Sequence, residues 1–311
     1  MKIAIIGAGA MGCRFGGALS TAGADVWFYD IWQEHISKIN KEGLIIHTDD
    51  GIHRVLVKAT SNIMSIGKPD VIFIFTKSMH TENAMMETSK IMNSDTIVVT
   101  LQNGLGNIET IKRYVDTNNI IAGVTNYASD LISPGEIEAK GLGITKMMQL
   151  GGGTHNRTEV IAGLLNEGGI HTQLSCNVMI DIWEKIAFNA ALNILTSLTF
   201  LTVGGLGSVE EGVDMARKIS SEVISVANAE GINTDAKKVH QTIESVFKPE
   251  MSGDHKTSML QDRMMKKKTE IEAIAGQVIK LAKDREISIP NLESVYQLVK
   301  IIEQSYDIQL I

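Results

Sequence analysis

Lys2-Ile3-Ala4-Ile5-Ile6-Gly7-Ala8-Gly9-Ala10-Met11-Gly12 opens the chain after its first methionine. Residues 2–6 form a β-branched apolar run of the kind found in strands buried on both faces of a parallel sheet. The glycines follow at once, then a helical pattern through Phe15, Leu19 and Ala22. A second apolar run, Val26-Trp27-Phe28-Tyr29, ends at Asp30. This is the G-x-G-x-x-G fingerprint of a dinucleotide site in the context it requires: after a strand, opening a helix, with an acid about 20 residues further on. Gly7 permits the tight turn, Gly9 removes a Cβ that would hold a pyrophosphate away, and Gly12 lets helix and strand lie close. The unpaired N–H groups of the first turn, around Ala10 and Met11, then hold the phosphates at the positive end of the helix dipole. The plainer alternative is a turn that only joins a strand to a helix.

Asp30 also bears on which dinucleotide binds. A carboxylate at the end of the second strand accepts hydrogen bonds from the ribose hydroxyls and repels a 2′-phosphate. Ile31, Trp32, Gln33 and Glu34 follow it and offer no cation to neutralise one. The expectation is therefore NAD(H) over NADP(H). Asp30 is also a good helix N-cap, which is the competing reading.

The chain has 311 residues, enough for two ordinary domains, and a formal net charge of −7. That balance offers no basic footprint for nucleic acid or an anionic membrane. No apolar stretch is long enough to span a bilayer, and the glycine turn stands where a signal peptide would have its apolar core. Two cysteines far apart, Cys13 and Cys176, exclude a disulfide framework and suit a reducing cytoplasmic setting, each as a small packing residue. Eight scattered histidines show no metal-ligand spacing, so no metal is expected.

Along the chain, strand and helix patterns alternate. A helix is expected over 32–41, a hairpin of 44–47 with 55–57, a strand over 71–75 and a helix over 81–92. A strand over 96–101, a helix to Tyr114 and a strand over 120–124 follow. Residues 135–139 and 146–150 read as antiparallel strands, 158–166 as a helix and 171–174 as a last strand. From Asn177 onward only helical periodicity remains, with breaks at Gly204-Gly205, Gly231, Pro249 and 288–290. The fold class is thus α/β: a Rossmann-like N-terminal domain (1–175) with a mostly parallel sheet, then an all-α domain (176–311) for substrate binding and dimerisation. The second domain is expected to cover the crevice at the strand ends.

Residues 177–195 read as one long helix with Asn177 as N-cap. Lys185, Asn189 and Asn193 recur every four residues, one narrow arc of a helix that is otherwise apolar nearly all round. Such groups need a polar cavity or solvent. Either the arc is a solvent face, with Lys185 paired to Glu184 or Asp181, or Lys185 is a general acid. A partly buried ammonium near a cationic nicotinamide loses pKa and can protonate the alkoxide formed when hydride reaches a carbonyl carbon. Asn189 and Asn193 would hold the substrate oxygens. Ser258 with Gln261, and Thr269 with Glu272, fit capping boxes. The functional alternative makes Ser258 a donor to a substrate carboxylate and Glu270 a contact for a substrate hydroxyl.

Gly7–Gly12, Thr76-Lys77-Ser78, Gln102-Asn103-Gly104-Leu105-Gly106, Lys185-x3-Asn189-x3-Asn193 and Ser258-Met-x-Gln-Asp262 with Thr269-Glu270-Ile271-Glu272 together resemble the ketopantoate reductase (2-dehydropantoate 2-reductase) family. The motifs run in order across nearly the whole chain. The resemblance implies reduction of a 2-oxo acid to its D-(R)-2-hydroxy acid. It makes Lys185 the general acid, Asn189 and Asn193 substrate contacts, Ser258 the carboxylate ligand and Glu270 the contact for a distal hydroxyl. It puts Lys77 and Asn103 beside the cofactor, Asn103 near the nicotinamide ribose and the substrate. Members that use NADPH to make pantoate commonly carry a basic residue where this chain has Asp30. The chain is in that respect similar to the NAD-linked D-2-hydroxyacid dehydrogenases, the D-mandelate dehydrogenase-like branch, which take bulky, C3-branched or aromatic 2-oxo acids. A homodimer is expected.

Three rivals stand beside this reading. One is an NADPH-dependent 2-dehydropantoate 2-reductase, toward which Glu270 points. A β-hydroxyacid dehydrogenase shares the Lys and Asn spacing, but its Gly-rich substrate loop has no counterpart around Gly151-Gly152-Gly153. A non-catalytic NAD sensor has no use for a buried proton donor.

Overall fold

The computed structural model describes residues 1–152, 156–248 and 254–309. The expected break at Pro249, and Gly153, lie outside the described residues. Two compact units are present: residues 1–102 with 107–178, and residues 179–311 joined by the short segment Asn103–Gly106.

The first unit is built on β1 (Lys2–Ile6), α1 (Ala10–Thr21), β2 (Asp25–Tyr29), α2 (Gln33–Glu42), β3 (Leu44–Thr48), β4 (Gly51–Val55), β5 (Lys58–Thr60) and β6 (Val71–Ile74). It continues with α3 (Thr81–Thr88), β7 (Ile97–Thr100), α4 (Asn107–Lys112), β8 (Ile120–Thr125), β9 (Asp130–Ser133), β10 (Glu136–Glu138), β11 (Thr145–Gln149), α5 (Asn156–Glu167) and β12 (Thr172–Leu174). Eight strands form one sheet in the order β12-β11-β8-β7-β6-β1-β2-β5. Every neighbouring pair is parallel except β8 with β11. β1 explains why the apolar run is continuous: Ile3 and Ile5 join the core on one face, Ala4 and Ile6 the core on the other. A central parallel strand meets no solvent on either side, so alternation would be wrong there.

A second sheet, β4-β3-β10-β9, departs from the expected pattern. The hairpin is present, but its second strand begins at Gly51, opposite Thr48. β5 then joins the large sheet, beside β2. The antiparallel pair expected between 135–139 and 146–150 is replaced by two separate pairings, β10 with β9 and β11 with β8. Helix α3 is shorter than the pattern suggested, ending at Thr88 with the Thr88 hydroxyl returned to Ala84 O (2.9 Å). Arg14, buried in α1, donates to the carbonyls of Ala128, Lys140 and Gly141, so it fastens the β9–β10 arm to the first helix.

The second unit is helical in its described residues: α6 (Val178–Thr199), α7 (Val203–Gly207), α8 (Glu210–Ala229), α9 (Ala236–Val246), α10 (Ser258–Met264), a widened π turn over Glu272–Gly276 running into α11 (Gln277–Asp284), and α12 (Pro290–Gln304). Gly204-Gly205 lies inside α7 rather than breaking the chain, because the Thr202 side chain caps that turn at Gly205 N–H (3.2 Å). Helix α6 is stopped at Phe200, which takes a left-handed φ of 59°. Arg263 secures that end: its Nε donates to Ser197 O (3.2 Å) while its guanidinium stacks on Phe200 (5.1 Å). A cation is favoured where helix carbonyls run out of partners. Among the described residues no helix is long and apolar enough to cross a membrane.

Candidate active site

In the first unit, β1 ends at Ile6 and α1 begins at Ala10, which leaves Gly7-Ala8-Gly9 as the turn. Gly7 has φ +95°, and a Cβ on Gly12 would stand 2.0 Å from Gly7 O, so neither position admits a side chain. Gly9 is the helix N-cap; no side chain fills that role, no acid lies in the first turn, and nothing stands within 4 Å of where a Gly9 Cβ would be. The helix N-terminus therefore faces open space with its donors uncapped, which suits a phosphate. Beside it, the hydroxyl of Thr76 is buried with no hydrogen-bond partner among the described residues.

Asp30 is not the N-cap of α2; Trp32 holds that place without a side-chain bond. One carboxylate oxygen accepts Trp32 N–H (3.0 Å) and the other accepts Ala8 N–H of the glycine turn (2.8 Å). Both oxygens keep lone pairs for further donors. Behind this turn lies a network not anticipated from the sequence. His35 is fully buried, its Nδ1 accepts Gly135 N–H (2.9 Å), and its Nε2 faces Cys13 Sγ at 3.6 Å. Cys13 in turn donates to Ala8 O (3.2 Å). Burial lowers the His35 pKa, partly opposed by Asp30, so the ring is neutral with its proton on Nε2. Burial, then Asp30, pushes the Cys13 thiol far up, so it stays protonated. Cys176, expected as packing, is exposed instead.

Lys77 follows β6 and opens a short 3-10 turn, Ser78–His80. The neighbouring strand end is braced by Gln102, whose Nε2 donates to Thr76 O (2.7 Å) and Thr81 Oγ1 (2.8 Å). Its Oε1 accepts from Thr100 Oγ1 (3.0 Å). Gln102 sits in the quoted Gln-Asn-Gly motif, but only the fold reveals it as a brace.

In the second unit, Lys185, Asn189 and Asn193 occupy successive turns of α6. Asn189 and Asn193 are buried, and Lys185 is half-buried. Glu184, one of the two surface partners considered for Lys185, instead accepts from Lys238 of α9 (2.5 Å). Burial drives the Lys185 ammonium down to about 8, and the carboxylate of Glu270 pulls it part of the way back. An amine at that value can both give and take a proton near neutrality.

Ser258 is not a cap: Thr257 is the N-cap of α10, accepting Leu260 N–H (3.3 Å). That leaves the Ser258 hydroxyl to accept from Asn193 Nδ2 (3.4 Å). The second capping box is absent as well. Glu272 is exposed and accepts from Lys300 (2.6 Å) and Tyr296 (3.0 Å), while the Thr269 hydroxyl goes to Glu303. Asn103, expected near the nicotinamide ribose, lies in the segment that packs with the helical unit. Leu105 N–H donates to Ala273 O in the π turn (2.8 Å), and a Cβ on Gly104 would stand 2.5 Å from that same carbonyl. Only glycine lets the segment lie so close.

The glycine turn with Asp30 and Lys77 therefore lies in one unit, and Lys185, Asn189, Asn193, Ser258, Glu270 and Asn103 in the other. Comparison with known proteins gives this arrangement its relatives. Residues 3–152 match the family model described as ketopantoate reductase PanE/ApbA, and residues 177–303 match that of its C-terminal part. A 2-dehydropantoate 2-reductase from Lactococcus lactis is 33% identical over 302 residues, covering 96% of this chain and 97% of the relative. One from Pyrococcus horikoshii is 32% identical over 300 residues, with 96% and 97% covered. Among solved structures, D-mandelate dehydrogenase with NADH and anilino(oxo)acetate superposes with a TM-score of 0.95 at 31% identity, covering 99% of this chain and 100% of the other. A ketopantoate reductase from Ralstonia eutropha JMP134 does so at 0.90 and 27%, covering 99% and 100%. The chain belongs to the ketopantoate reductase family of oxidoreductases.

Proposed function

We propose that the protein reduces a bulky, C3-branched or aromatic 2-oxo acid to its D-(R)-2-hydroxy acid with NADH, and runs the reverse reaction, Lys185 being the proton donor. The observation that carries this reading is the half-buried Lys185 in line with two buried asparagines and beside Glu270, its ammonium lowered to about 8. A bound nicotinamide would supply the hydride. The residues of the glycine turn fit such a dinucleotide, since Gly9 leaves its approach open and Asp30 can accept from the ribose hydroxyls.

The residues then divide the work. Lys185 gives its proton to the C2 oxygen as charge develops there. Asn189 and Asn193 donate to substrate oxygens, and Ser258, already aligned by Asn193, donates to the carboxylate. Glu270 keeps Lys185 protonated and accepts from a substrate hydroxyl where there is one. Asn103 and Lys77 complete the cofactor contacts. The similarity to an NADH-bound D-mandelate dehydrogenase supports the aromatic side of the range, and the 2-dehydropantoate 2-reductases support the alternative substrate.

Asp30 supports NAD over NADP. Asp30→Ala is expected to narrow the ratio of kcat/KM for NADH over NADPH by on the order of ten- to a hundredfold, the worth of hydrogen bonds to a charged acceptor. An unchanged ratio would remove Asp30 from cofactor choice. The substrate reading is tested by initial rates with pantoate-like, branched aliphatic and phenyl-substituted 2-oxo acids, each with both reduced cofactors. Highest kcat/KM for a phenyl or branched acid with NADH supports the proposal. Highest kcat/KM for the pantoate-like acid with NADPH favours the biosynthetic reductase, and no turnover favours a sensor. A homodimer and a cytoplasmic setting belong to the same proposal.

A further inference from the structure

Thr269 precedes Glu270 at the entry to the π turn, and both of its polar hydrogens go to one acceptor. Its N–H and its hydroxyl each donate to Glu303 Oε1 of α12, at 2.7 Å. With its proton committed there, the Thr269 hydroxyl oxygen is turned to accept Ile271 N–H (3.2 Å). On the other side of Glu270, its own carbonyl accepts Ala273 N–H and Ile274 N–H, both at 3.0 Å. The backbone on both sides of Glu270 is thus held by local groups and by Glu303, 34 residues away in sequence from Thr269. The same turn carries Ala273 O, which seats the Asn103 segment through Leu105 N–H. A π turn costs helix geometry and is found mostly where a site requires it.

We propose that Glu303 is a positioning residue: by accepting both hydrogens of Thr269 it fixes the turn from which Glu270 faces Lys185 and on which the Asn103 segment rests. It touches no reacting atom. The proposal rests on the site reading above for what Glu270 does, but not for where Glu303 acts. Glu303 also lies electrostatically near Lys300 and Tyr296, both bonded to Glu272, so its charge and its hydrogen bonding must be separated. Glu303→Gln does that, since the amide keeps an acceptor oxygen for Thr269 and loses the charge. Glu303→Ala loses both.

The test has two readouts on the full-length protein. One is the pH at which the Lys185 amine becomes half-reactive toward acetic anhydride, followed by mass spectrometry, which needs no turnover. The other is KM for the 2-oxo acid against kcat. Glu303→Ala is expected to move the Lys185 midpoint to lower pH, because a displaced Glu270 no longer favours the ammonium. It should also raise KM on the order of tenfold for a 2-oxo acid that carries a distal hydroxyl, the worth of that hydroxyl's hydrogen bond to the Glu270 carboxylate. Glu303→Gln is expected to stay near wild type in both. Thr269→Val, which removes the hydroxyl from the other side, should reproduce Glu303→Ala and serves in its place should that variant not fold. Unaltered Lys185 titration and KM in Glu303→Ala and Thr269→Val, with only a lower Tm, would overturn the proposal and leave Glu303 a structural tie. So would a Glu303→Gln variant as impaired as Glu303→Ala. A wild type without activity on any 2-oxo acid would refute the functional reading alone, since the Lys185 titration would still decide for or against Glu303.

Discussion

Lys185→Ala is expected to lower kcat for 2-oxo acid reduction by about 10²–10⁴-fold, the usual contribution of a positioned general acid. That is about 3–5 kcal/mol of barrier. The same variant should bind NADH almost as wild type, because the dinucleotide contacts are assigned to the glycine turn, Asp30, Lys77 and Asn103. The split follows from the packing. Lys185 stands on a helix whose other faces bury Ile186, Ala187, Ala190 and Ala191, so truncation at a half-buried polar position removes chemistry before it removes stability. Steady-state kinetics and a fluorescence titration with NADH check it. Equal loss of turnover and NADH affinity would show misfolding instead, and an unaltered kcat would leave the reaction without its donor.

The second large effect is the pH profile. Only the ammonium form can donate, and burial lowers it from an ordinary 10.5 to about 8. In the reductive direction kcat should therefore be level below pH about 8 and fall tenfold for each further unit. Oxidation of the hydroxy acid needs the free amine and should rise through the same pH to a plateau above it. Glu270 favours the charged form, so Glu270→Gln should carry both limbs to lower pH. A reductive plateau persisting to the ordinary lysine range would mean that Lys185 is solvated as a surface residue is.

Much of this molecule is legible in its residue order, and the exceptions share a cause. The central strands announce themselves because burial on both faces demands unbroken apolar runs, as in Ile3–Ile6 and Val71–Ile74. The Lys185, Asn189 and Asn193 arc is legible because three polar groups at four-residue spacing are anomalous on an apolar helix. Strands β5 and β9 are not, since short edge or outlying strands half exposed to solvent carry no such periodicity. Partner choice is equally hidden. β10 and β11 look like a pair in sequence, yet each finds another neighbour in a different sheet.

The site divides in the same way. Local spacing suggests two capping boxes, and neither forms as spaced. Thr257 took the cap and left Ser258 to Asn193, 65 residues away. Glu303 took Thr269 and left Glu272 to Lys300 and Tyr296. His35 and Cys13 look like scattered residues until the fold places them together under the glycine turn. Local physics constrains which side chains are available; only tertiary packing assigns their partners.

The most direct measurement is the product itself. Incubated with one equivalent of NADH and a phenyl-substituted 2-oxo acid, the protein should yield one equivalent of the D-(R)-2-hydroxy acid on chiral separation. Formation of the L enantiomer, or of no hydroxy acid with either NADH or NADPH, would contradict the proposed reduction of such a 2-oxo acid to its D-(R)-2-hydroxy acid.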